Sequence, residues 1–476
     1  MAWDLVIGLE VHVQLHTQSK LFSGASTAFG AAPNTQTCFI DAGLPGVLPC
    51  LNARAVEMAI AFGLAIDATI NSHSYFERKN YFYPDLPKGY QISQFQRPIV
   101  EKGHLTIALK DGQKSVDIVR AHLEEDAGKS LHEAHPECTG IDLNRAGNPL
   151  LEIVTAPCLT SSEEALAYLK TLHRLVRFLG ISDGNMQEGS FRCDVNLSLK
   201  PKGETRLGVR TELKNLNSFR FIQKAIAYEQ QRQQDVLESG SAIRQETRLY
   251  CPLTNKTELL RSKENENDYR YFPDPDLLPI EIAPQTIESV RQTLPPLPGA
   301  ILEQLRQNEK LTEEDIEFVL TSPATFAYFN ALKNSCHTDE KTLINWLKGP
   351  VAAALNEANS TFEKIPLSPS ALAPLLNALN DKKITTNQAR QIFAKLWAGL
   401  GSVEELILKE AIEETSEDAL ENKIATLLNQ YPEQVADYRA GKEKLLAFFV
   451  GQLMKQMKGK ANPEQLTGLL KKQLQE

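Results

Sequence analysis

The stretch GLEVHVQL, at residues 8–15, determines the architecture of the N-terminal part of the chain. Apolar and polar residues alternate along it, and in a β-strand side chains two positions apart point to the same face. Leu9 and Val11 therefore face one side of the strand, while Glu10 and His12 face the other. The alternation predicts a strand with one apolar face and one face that carries carboxylate and imidazole groups.

Three more segments repeat this design, with polar residues set into apolar strands. Their polar residues are Arg192, Asp194 and Asn196, then Arg210, Glu212 and Lys214, and finally His122, Glu124, Glu125 and Asp126. If these faces converge, they form a group of carboxylates rimmed by cations, which suits a divalent cation that bridges protein and phosphate oxygens. Mg²⁺ is the expected ion. The alternative is the solvated outer face of a sheet, which is the usual meaning of such alternation.

Short β-branched and aromatic runs, separated by turn residues, continue to about residue 290. Helical patterns interrupt them at 52–64, 161–179 and 218–238. We therefore expect an α+β fold whose sheet is mainly antiparallel. The segment LPPLPG at 294–299 predicts a linker, because proline removes backbone donors and glycine ends regular structure.

Beyond that linker, apolar residues recur every three or four positions, which predicts helices. The predicted helices are 301–307, 313–320, 323–332, 341–347, 368–379, 403–414 and 419–428. A second break, GLGS at 399–402, divides this region. We expect a sheet-rich domain over 1–293, an all-α domain over 300–399 and a small α-helical tail domain over 403–476.

The composition excludes several classes of protein. The 476 residues carry a net charge of −9 and are 42% hydrophobic, with no apolar run near the ~20 residues that a membrane span needs. Seven cysteines without a C-x-x-C pair support neither a disulfide framework nor a thiolate zinc site. The N-terminus lacks a basic segment, so we expect a cytoplasmic protein.

Two local features bear on nucleotide or RNA binding. The aromatic and cationic segment at 78–94, RKNYFYPDLPKGYQISQ, suits a rigid loop with stacking faces, although an aromatic cluster under a proline turn would look the same. The segment DAGKS at 126–130 ends like a P-loop, but Leu123 stands where the first glycine belongs. The last 36 residues hold seven lysines against three glutamates, which favours either phosphate contact or a solvated helix face.

Longer motifs identify a family. They are GLEVHVQL at 8–15, RKNYFYPDLPKGYQISQ at 78–94, LEEDAGKS at 123–130, IDLNRAGNPLLEIVT at 141–155, RCDVN at 192–196, TELKNLNS at 211–218, DYRYFPDPDL at 268–277 and YRAGKEKLLAFFVGQLMKQMKGKANP at 438–463. Over essentially its whole length, the sequence resembles the B subunits of bacterial aspartyl/glutamyl-tRNA amidotransferases.

The resemblance implies a sheet-rich cradle domain with a kinase-like site, a helical domain and a tail that grips tRNA. It also implies a heterotrimer, in which an amidase-like A subunit releases ammonia from glutamine and a small C subunit clasps the larger two. The implied reaction uses ATP and Mg²⁺ to phosphorylate the side-chain carboxylate of glutamate on tRNA(Gln) or aspartate on tRNA(Asn), which ammonia then amidates.

The same resemblance implies roles for residues in these motifs. The metal-binding candidates are Glu10, His12, Glu124 and Glu125, with Asp194 and Glu212 contributing directly or through water. The candidates for phosphate and substrate carboxylate are Lys79, Tyr81, Arg192, Arg210 and Lys214. The candidates for orienting hydrogen bonds are Ser190 and Asn217.

Two other function classes fit parts of the sequence. A tRNA-binding scaffold would use the basic tail and would not need the carboxylates for activity. A metal-dependent phosphohydrolase would use the carboxylates on a phosphate ester without tRNA or glutamine. The acidic strand faces favour an enzyme over the scaffold, and the tail together with the resemblance favours tRNA over a small ester.

Overall fold

The computed structural model describes residues 2–132, 137–262, 269–412, 417–439, 442, 445–456 and 463–475. The chain divides into two compact units, Met1–Ile301 and Leu302–Glu476. The division into three domains, with a further boundary near residue 400, stays a prediction.

The strands of the described chain all lie in the first unit. They are β1 (Trp3–Gln14), β2 (Thr69–Ile70), β3 (His73–Ser74), β4 (Glu77–Asn80), β5 (Tyr90–Ser93), β6 (Val100–Leu109), β7 (Gly112–Glu125), β8 (Lys129–Leu131), β9 (Gly140–Asp142), β10 (Pro149–Thr155), β11 (Phe191–Pro201), β12 (Thr211–Lys214), β13 (Glu246–Cys251), β14 (Lys256–Ser262), β15 (Phe272–Pro273) and β16 (Ile280–Glu281).

Nine of these strands form one sheet in the order β14-β13-β12-β11-β1-β10-β7-β6-β2. Neighbouring strands run antiparallel except for β12 and β13, which are parallel. Smaller pairings join β15, β4 and β5, then β16 and β3, and finally β8 and β9. The prediction of an α+β fold with a mainly antiparallel sheet is confirmed.

Three helices cover the apolar face of the sheet, and each begins at a side-chain cap that the sequence provides. They are α1 (Ala53–Ala65), α2 (Ser162–Phe178) and α3 (Phe219–Glu238). Asn52, Ser161 and Ser218 accept hydrogen bonds from the backbone of the first turns, which satisfies donors that a helix start leaves open. These helices confirm the predicted ones to within a residue or two.

The odd-numbered residues of β1 lie in a core shared with these helices. Leu9 and Val11 are fully or almost fully buried there, together with Met58 of α1, Leu169 of α2 and Ile222 of α3. Because the helices take up this face, the opposite face, with the polar residues of β1, is left for a binding site.

The remaining helices follow the last strand, as the sequence pattern predicted. They are α4 (Pro284–Gln292), α5 (Pro298–Arg306), α6 (Glu313–Val319), α7 (Pro323–Ser335), α8 (Glu340–Trp346), α9 (Ala352–Glu357), α10 (Pro369–Asn380), α11 (Thr386–Trp397), α12 (Val403–Ile412), α13 (Glu417–Gln430), α14 (Pro432–Arg439), α15 (Leu445–Gln456) and α16 (Pro463–Gln475). A π-helical segment, Leu347–Val351, joins α8 to α9.

The structure differs from the sequence prediction in several details. Helices α9, α11, α14, α15 and α16 were not predicted individually, and neither was α4, whose apolar residues are few and partly exposed. The predicted linker is also too long, since α5 begins at Pro298, where the fixed φ of proline suits the first turn of a helix.

Of the lysines in the basic tail, Lys444, Lys458 and Lys460 lie outside the described residues.

Candidate active site

The register of the central strands fixes which polar side chains meet. Strand β1 lies between β10 and β11, so His12 lies opposite Glu152 on one side and Arg192 on the other. Glu152 in turn lies opposite His122 of β7. Residues directly opposite on paired strands share a face of the sheet. The backbone register therefore sets a row of one guanidinium, two imidazoles and one carboxylate across four strands.

This polar face forms the wall of a cavity of about 610 Å³. The predicted residues that line it are Glu10, His12, Lys79, Glu124, Asp194, Arg210, Glu212 and Lys214. An adjoining cavity of about 430 Å³ shares several of these and is also lined by the predicted residues Tyr81, Arg192 and Asn217. The structure thus brings together most of the candidates that the sequence placed on separate segments.

One group of titratable residues in the first cavity, here called the imidazole cluster, consists of His12, His122, Glu124 and Glu152. Nε2 of His12 lies 3.5 Å from both Oε1 of Glu124 and Oε2 of Glu152. Nε2 of His122 lies 3.3 Å from the same oxygen of Glu152. His12, Glu124 and Glu152 can each direct one ligand atom to a common ion.

The proton affinities in the imidazole cluster follow from these contacts. Burial disfavours the charged form of His12, but Glu152 and Glu124 outweigh it and raise the pKa of His12 to about 9. The pKa of His122 is also raised, by the same two carboxylates against the effect of burial. The pKa of Glu152 is held well below its usual range, because the two imidazoles overcome the cost of burial. Without a metal ion, His12 is therefore protonated at neutral pH.

A second group, here called the carboxylate cluster, consists of Glu10, Asp194 and Glu212, whose carboxylates can each direct one oxygen to a common ion. Donors from neighbouring residues hold two of them. Asn196 donates from Nδ2 to Oε1 of Glu10 at 2.8 Å, and Thr247 donates from Oγ1 to Oε2 of Glu212 at 2.7 Å. A set of three carboxylates suits Mg²⁺, which prefers oxygen ligands.

Lys79 also lines the first cavity, where its ammonium lies among aromatic rings. Its ammonium is 5.1 Å from the ring centroid of Tyr269 and 5.9 Å from that of Tyr81. Burial works against the charge, but Tyr271 and the carboxylates of the imidazole cluster raise the pKa of Lys79 above its usual value. Tyr271 stacks on Phe95, with centroids 4.3 Å apart. The wall therefore offers a fixed cation beside flat apolar surfaces.

The second cavity contains an arginine pair around a buried acid. Asp126 accepts a 2.8 Å hydrogen bond from Nη2 of Arg192, and Nε of Arg145 lies 3.5 Å from the same oxygen. Arg145 also donates to the backbone oxygens of Ala127 and Gly128. These bonds fix the positions of both guanidinium groups at the second cavity.

Two predicted site residues lie elsewhere. Glu125 lies on the opposite face of β7 from Glu124, because successive side chains in a strand alternate, and its carboxylate is paired with Lys88 and accepts from the backbone of Ile92. Ser190 lies just before β11 and lines a different cavity, together with residues such as Gln14. Neither residue lines the two cavities of the site, and the roles predicted for them stay predictions.

Several site residues were missed by reasoning from the sequence. Glu152, Arg120, Tyr269 and Tyr271 line the first cavity, and Arg145 lines the second. Glu152 had a visible signal, because it is the one charged residue within the apolar strand PLLEIVT. Tyr269 and Tyr271 gave none beyond their motif, since their position depends on contacts with residues almost two hundred positions earlier, such as Tyr81.

Comparison with known proteins assigns the chain to a family. The family profile described as the GatB/GatE catalytic domain matches residues 5–288, and the profile described as the GatB domain matches residues 327–474. The chain belongs to the family of amidotransferase B subunits. The catalytic-domain match includes every residue that lines the two cavities.

Full-length members of this B-subunit family are similar along the whole chain. A protein of Legionella pneumophila (strain Paris), named as the B subunit of an aspartyl/glutamyl-tRNA(Asn/Gln) amidotransferase, is 64% identical over 476 residues, covering 100% of both chains. A protein of the same name from Coxiella burnetii (strain CbuG_Q212) is 52% identical over 477 residues, again covering 100% of both chains.

Within the described residues, no helix is long and apolar enough to cross a bilayer.

Proposed function

We propose that this chain is the ATP-using subunit of a tRNA-dependent amidotransferase. The γ-phosphoryl group of ATP passes to an oxygen of the side-chain carboxylate of glutamate on tRNA(Gln) or aspartate on tRNA(Asn), and ADP leaves. Ammonia then attacks the acyl phosphate, forming the amide and releasing inorganic phosphate, which takes up the proton that the nitrogen loses. The acyl phosphate is needed because a free carboxylate is a very poor acyl donor.

The observation that carries this proposal is the convergence of two carboxylate-rich groups and several cations on one cavity wall. Transfer of a phosphoryl group needs positioning and neutralisation of charge more than covalent chemistry by the protein. A divalent cation bound there would neutralise charge on phosphate oxygens. The residues that would hold it are His12, Glu124 and Glu152 in one cluster, and Glu10, Asp194 and Glu212 in the other.

The cationic side chains around the two cavities would bind the anionic groups of the substrates. Lys79 and Arg210 line the first cavity, and Arg192 with Arg145 lines the second. These side chains would bind the phosphate of ATP and the carboxylate of the aminoacyl group. Tyr81 and Asn217, which line the second cavity, would orient the acceptor end. Ser190 has no part in this proposal.

Ammonia and tRNA require partners. The name of the family implies further subunits, and we propose a heterotrimer with an amidase-like A subunit, which hydrolyses glutamine, and a small C subunit. The lysines near the C-terminus, among them Lys471 and Lys472, would contact the phosphates of tRNA. Such an enzyme would act in the cytoplasm, where aminoacyl-tRNAs are used.

This proposal can be tested by measuring the release of ADP by the reconstituted complex. The reaction contains ATP, Mg²⁺, glutamine and mischarged Glu-tRNA(Gln) or Asp-tRNA(Asn). We expect ADP release to require the mischarged tRNA and to be lost in Glu124→Gln. The matched control is Glu258→Gln, which changes an exposed glutamate on strand β14 of the same sheet. ADP release that does not need tRNA would favour a phosphohydrolase, and an active Glu124→Gln complex would favour a scaffold.

A further inference from the structure

Lys214 occupies a distinctive position beside the carboxylate cluster. It ends β12, two residues after Glu212, so both side chains lie on one face of the strand. Its ammonium donates a hydrogen bond to Oδ2 of Asp194 and lies 3.5 Å from Oε1 of Glu212. The positive charge of a lysine thus stands among the oxygens that could otherwise bind a divalent cation.

Glu212 is held in place more firmly than the lysine. Glu212 uses Oε2 to accept from the buried Thr247, which leaves Oε1 directed toward Lys214. The side chain of Glu212 is 8% exposed, whereas that of Lys214 is 31% exposed. Lysine carries its charge at the end of a flexible four-carbon stem. If one partner of this pair moves, it is therefore the ammonium of Lys214 and not the carboxylate of Glu212.

We infer that Lys214 is an internal cation of the carboxylate cluster, and that a divalent cation binds there in exchange for its ammonium. The inference rests on the proposed function, in which the cluster holds such an ion. Two cations cannot share these oxygens without strong mutual repulsion at short range. A divalent ion supplies more positive charge than the ammonium to the same three carboxylates, so it can displace the lysine.

The displaced ammonium can move into the second cavity. Lys214 lines both cavities of the site, so its charge can turn from the carboxylate cluster toward the second cavity, which Arg192 and Tyr81 also line. There it meets the phosphate or carboxylate groups of the substrates. Cation binding and anion binding are then coupled through one side chain, and each strengthens the other.

Titration of the full chain with Mn²⁺, followed by the electron paramagnetic resonance signal of free Mn²⁺, tests the exchange. Lys214→Met removes the charge and keeps the length of the side chain. We expect it to bind Mn²⁺ at the carboxylate cluster roughly tenfold more tightly, at the low end of what close charge pairs contribute. Lys214→Arg keeps a cation and should bind as the wild type does. The tighter binding of Mn²⁺ should be lost in the double variant Lys214→Met/Glu212→Gln. Binding of Mn²⁺ at the imidazole cluster serves as the control that each variant is folded.

Labelling of the wild-type chain provides a second measurement that needs no substitution. If Mg²⁺ releases the amine from the cluster, an amine-reactive reagent should modify Lys214 severalfold faster when Mg²⁺ is present. Mass spectrometry of the digested protein measures the rate at this residue.

Three results would overturn the inference, and they differ in what else they affect. If Lys214→Met binds Mn²⁺ no more tightly, while Glu212→Gln loses a site, the exchange is wrong and the proposed function stands. If Glu212→Gln binds Mn²⁺ as the wild type does, the carboxylate cluster holds no cation, and the inference falls with that part of the proposed function. A labelling rate of Lys214 that is the same with and without Mg²⁺ would also contradict the exchange.

Discussion

Oε2 of Glu152 lies 3.5 Å from Nε2 of His12, on paired positions of β10 and β1. The same oxygen lies 3.3 Å from Nε2 of His122. Glu152 therefore connects two imidazoles that belong to different strands. It is also the main favourable influence on the charged form of His12. Glu152, to which the sequence motifs assigned no role, thus links the two imidazoles of the cluster.

Glu152→Gln tests this central position. The substitution keeps the size of the side chain and removes its charge, so we expect the pKa of His12 to fall, as measured by NMR titration. Amide formation by the reconstituted complex should drop by about 100-fold or more, the usual scale for one lost preorganised electrostatic group. Glu258→Gln is the matched control, and a Glu152→Gln complex with the activity of that control would contradict the prediction.

The protonation of His12 predicts a pH dependence for cation binding. A metal ligand must be deprotonated, and the pKa of His12 is raised to about 9, so binding at the imidazole cluster releases a proton below that pH. The affinity for Mn²⁺ should rise by about tenfold per pH unit from neutral pH and level off above the pKa of His12. The carboxylate cluster, which has no imidazole, should show little change over the same range. An affinity at the imidazole cluster that does not vary with pH would contradict the expected proton release.

The hydroxyl of Thr247 supports only the carboxylate cluster, so we expect its removal to weaken cation binding at that cluster alone. Thr247→Val replaces the hydroxyl that donates to Glu212 and should weaken Mn²⁺ binding at the carboxylate cluster by ~10-fold or more, as loss of a supporting hydrogen bond usually does. Binding at the imidazole cluster should not change. The matched control is Thr257→Val, because the equally buried Thr257 donates to Glu229 and not to Glu212. Equal effects of the two substitutions would indicate general loosening of the sheet.

Lys20 predicts an effect on stability. Its ammonium is fully buried, lies 3.2 Å from Oδ2 of Asp41 and also donates to the backbone oxygen of Leu143. Lys20→Met leaves Asp41 charged and buried, and should lower the free energy of unfolding by ~3–5 kcal/mol in urea denaturation. Lys20→Met/Asp41→Asn removes the unpaired charge and should recover part of that loss. A double variant less stable than the single one would contradict this account of the pair.

The sequence was sufficient to predict the polar face of the site but not its full membership. Alternation in β1 and β11 correctly grouped Glu10 with His12 and Arg192 with Asp194, because a strand fixes the faces of its own side chains. The same rule should have separated Glu124 from Glu125, since adjacent residues of one strand cannot share a face.

The rest of the site depends on long-range pairing, which alternation alone does not specify. Glu152 joins His12 through the register of β10 on β1, which joins segments about 140 positions apart. Tyr269 and Tyr271 reach Lys79 through contacts between segments about 190 positions apart. Ser190 has the same parity as Arg192, yet it lies at the end of the strand, where it faces another cavity. Local patterns predict faces, whereas tertiary structure decides where along a face a residue lies.

Transfer of oxygen from substrate to phosphate is the decisive measurement for the proposed phosphorylation. The reconstituted complex receives Glu-tRNA(Gln) whose side-chain carboxylate carries ¹⁸O, together with ATP, Mg²⁺ and glutamine, and the inorganic phosphate is analysed by mass spectrometry. If the carboxylate is phosphorylated before ammonia attacks, each amide formed leaves one carboxylate oxygen in the released phosphate. We therefore expect ¹⁸O in that phosphate and none with Glu124→Gln. Amide formation that yields phosphate free of ¹⁸O would contradict activation of the carboxylate by ATP.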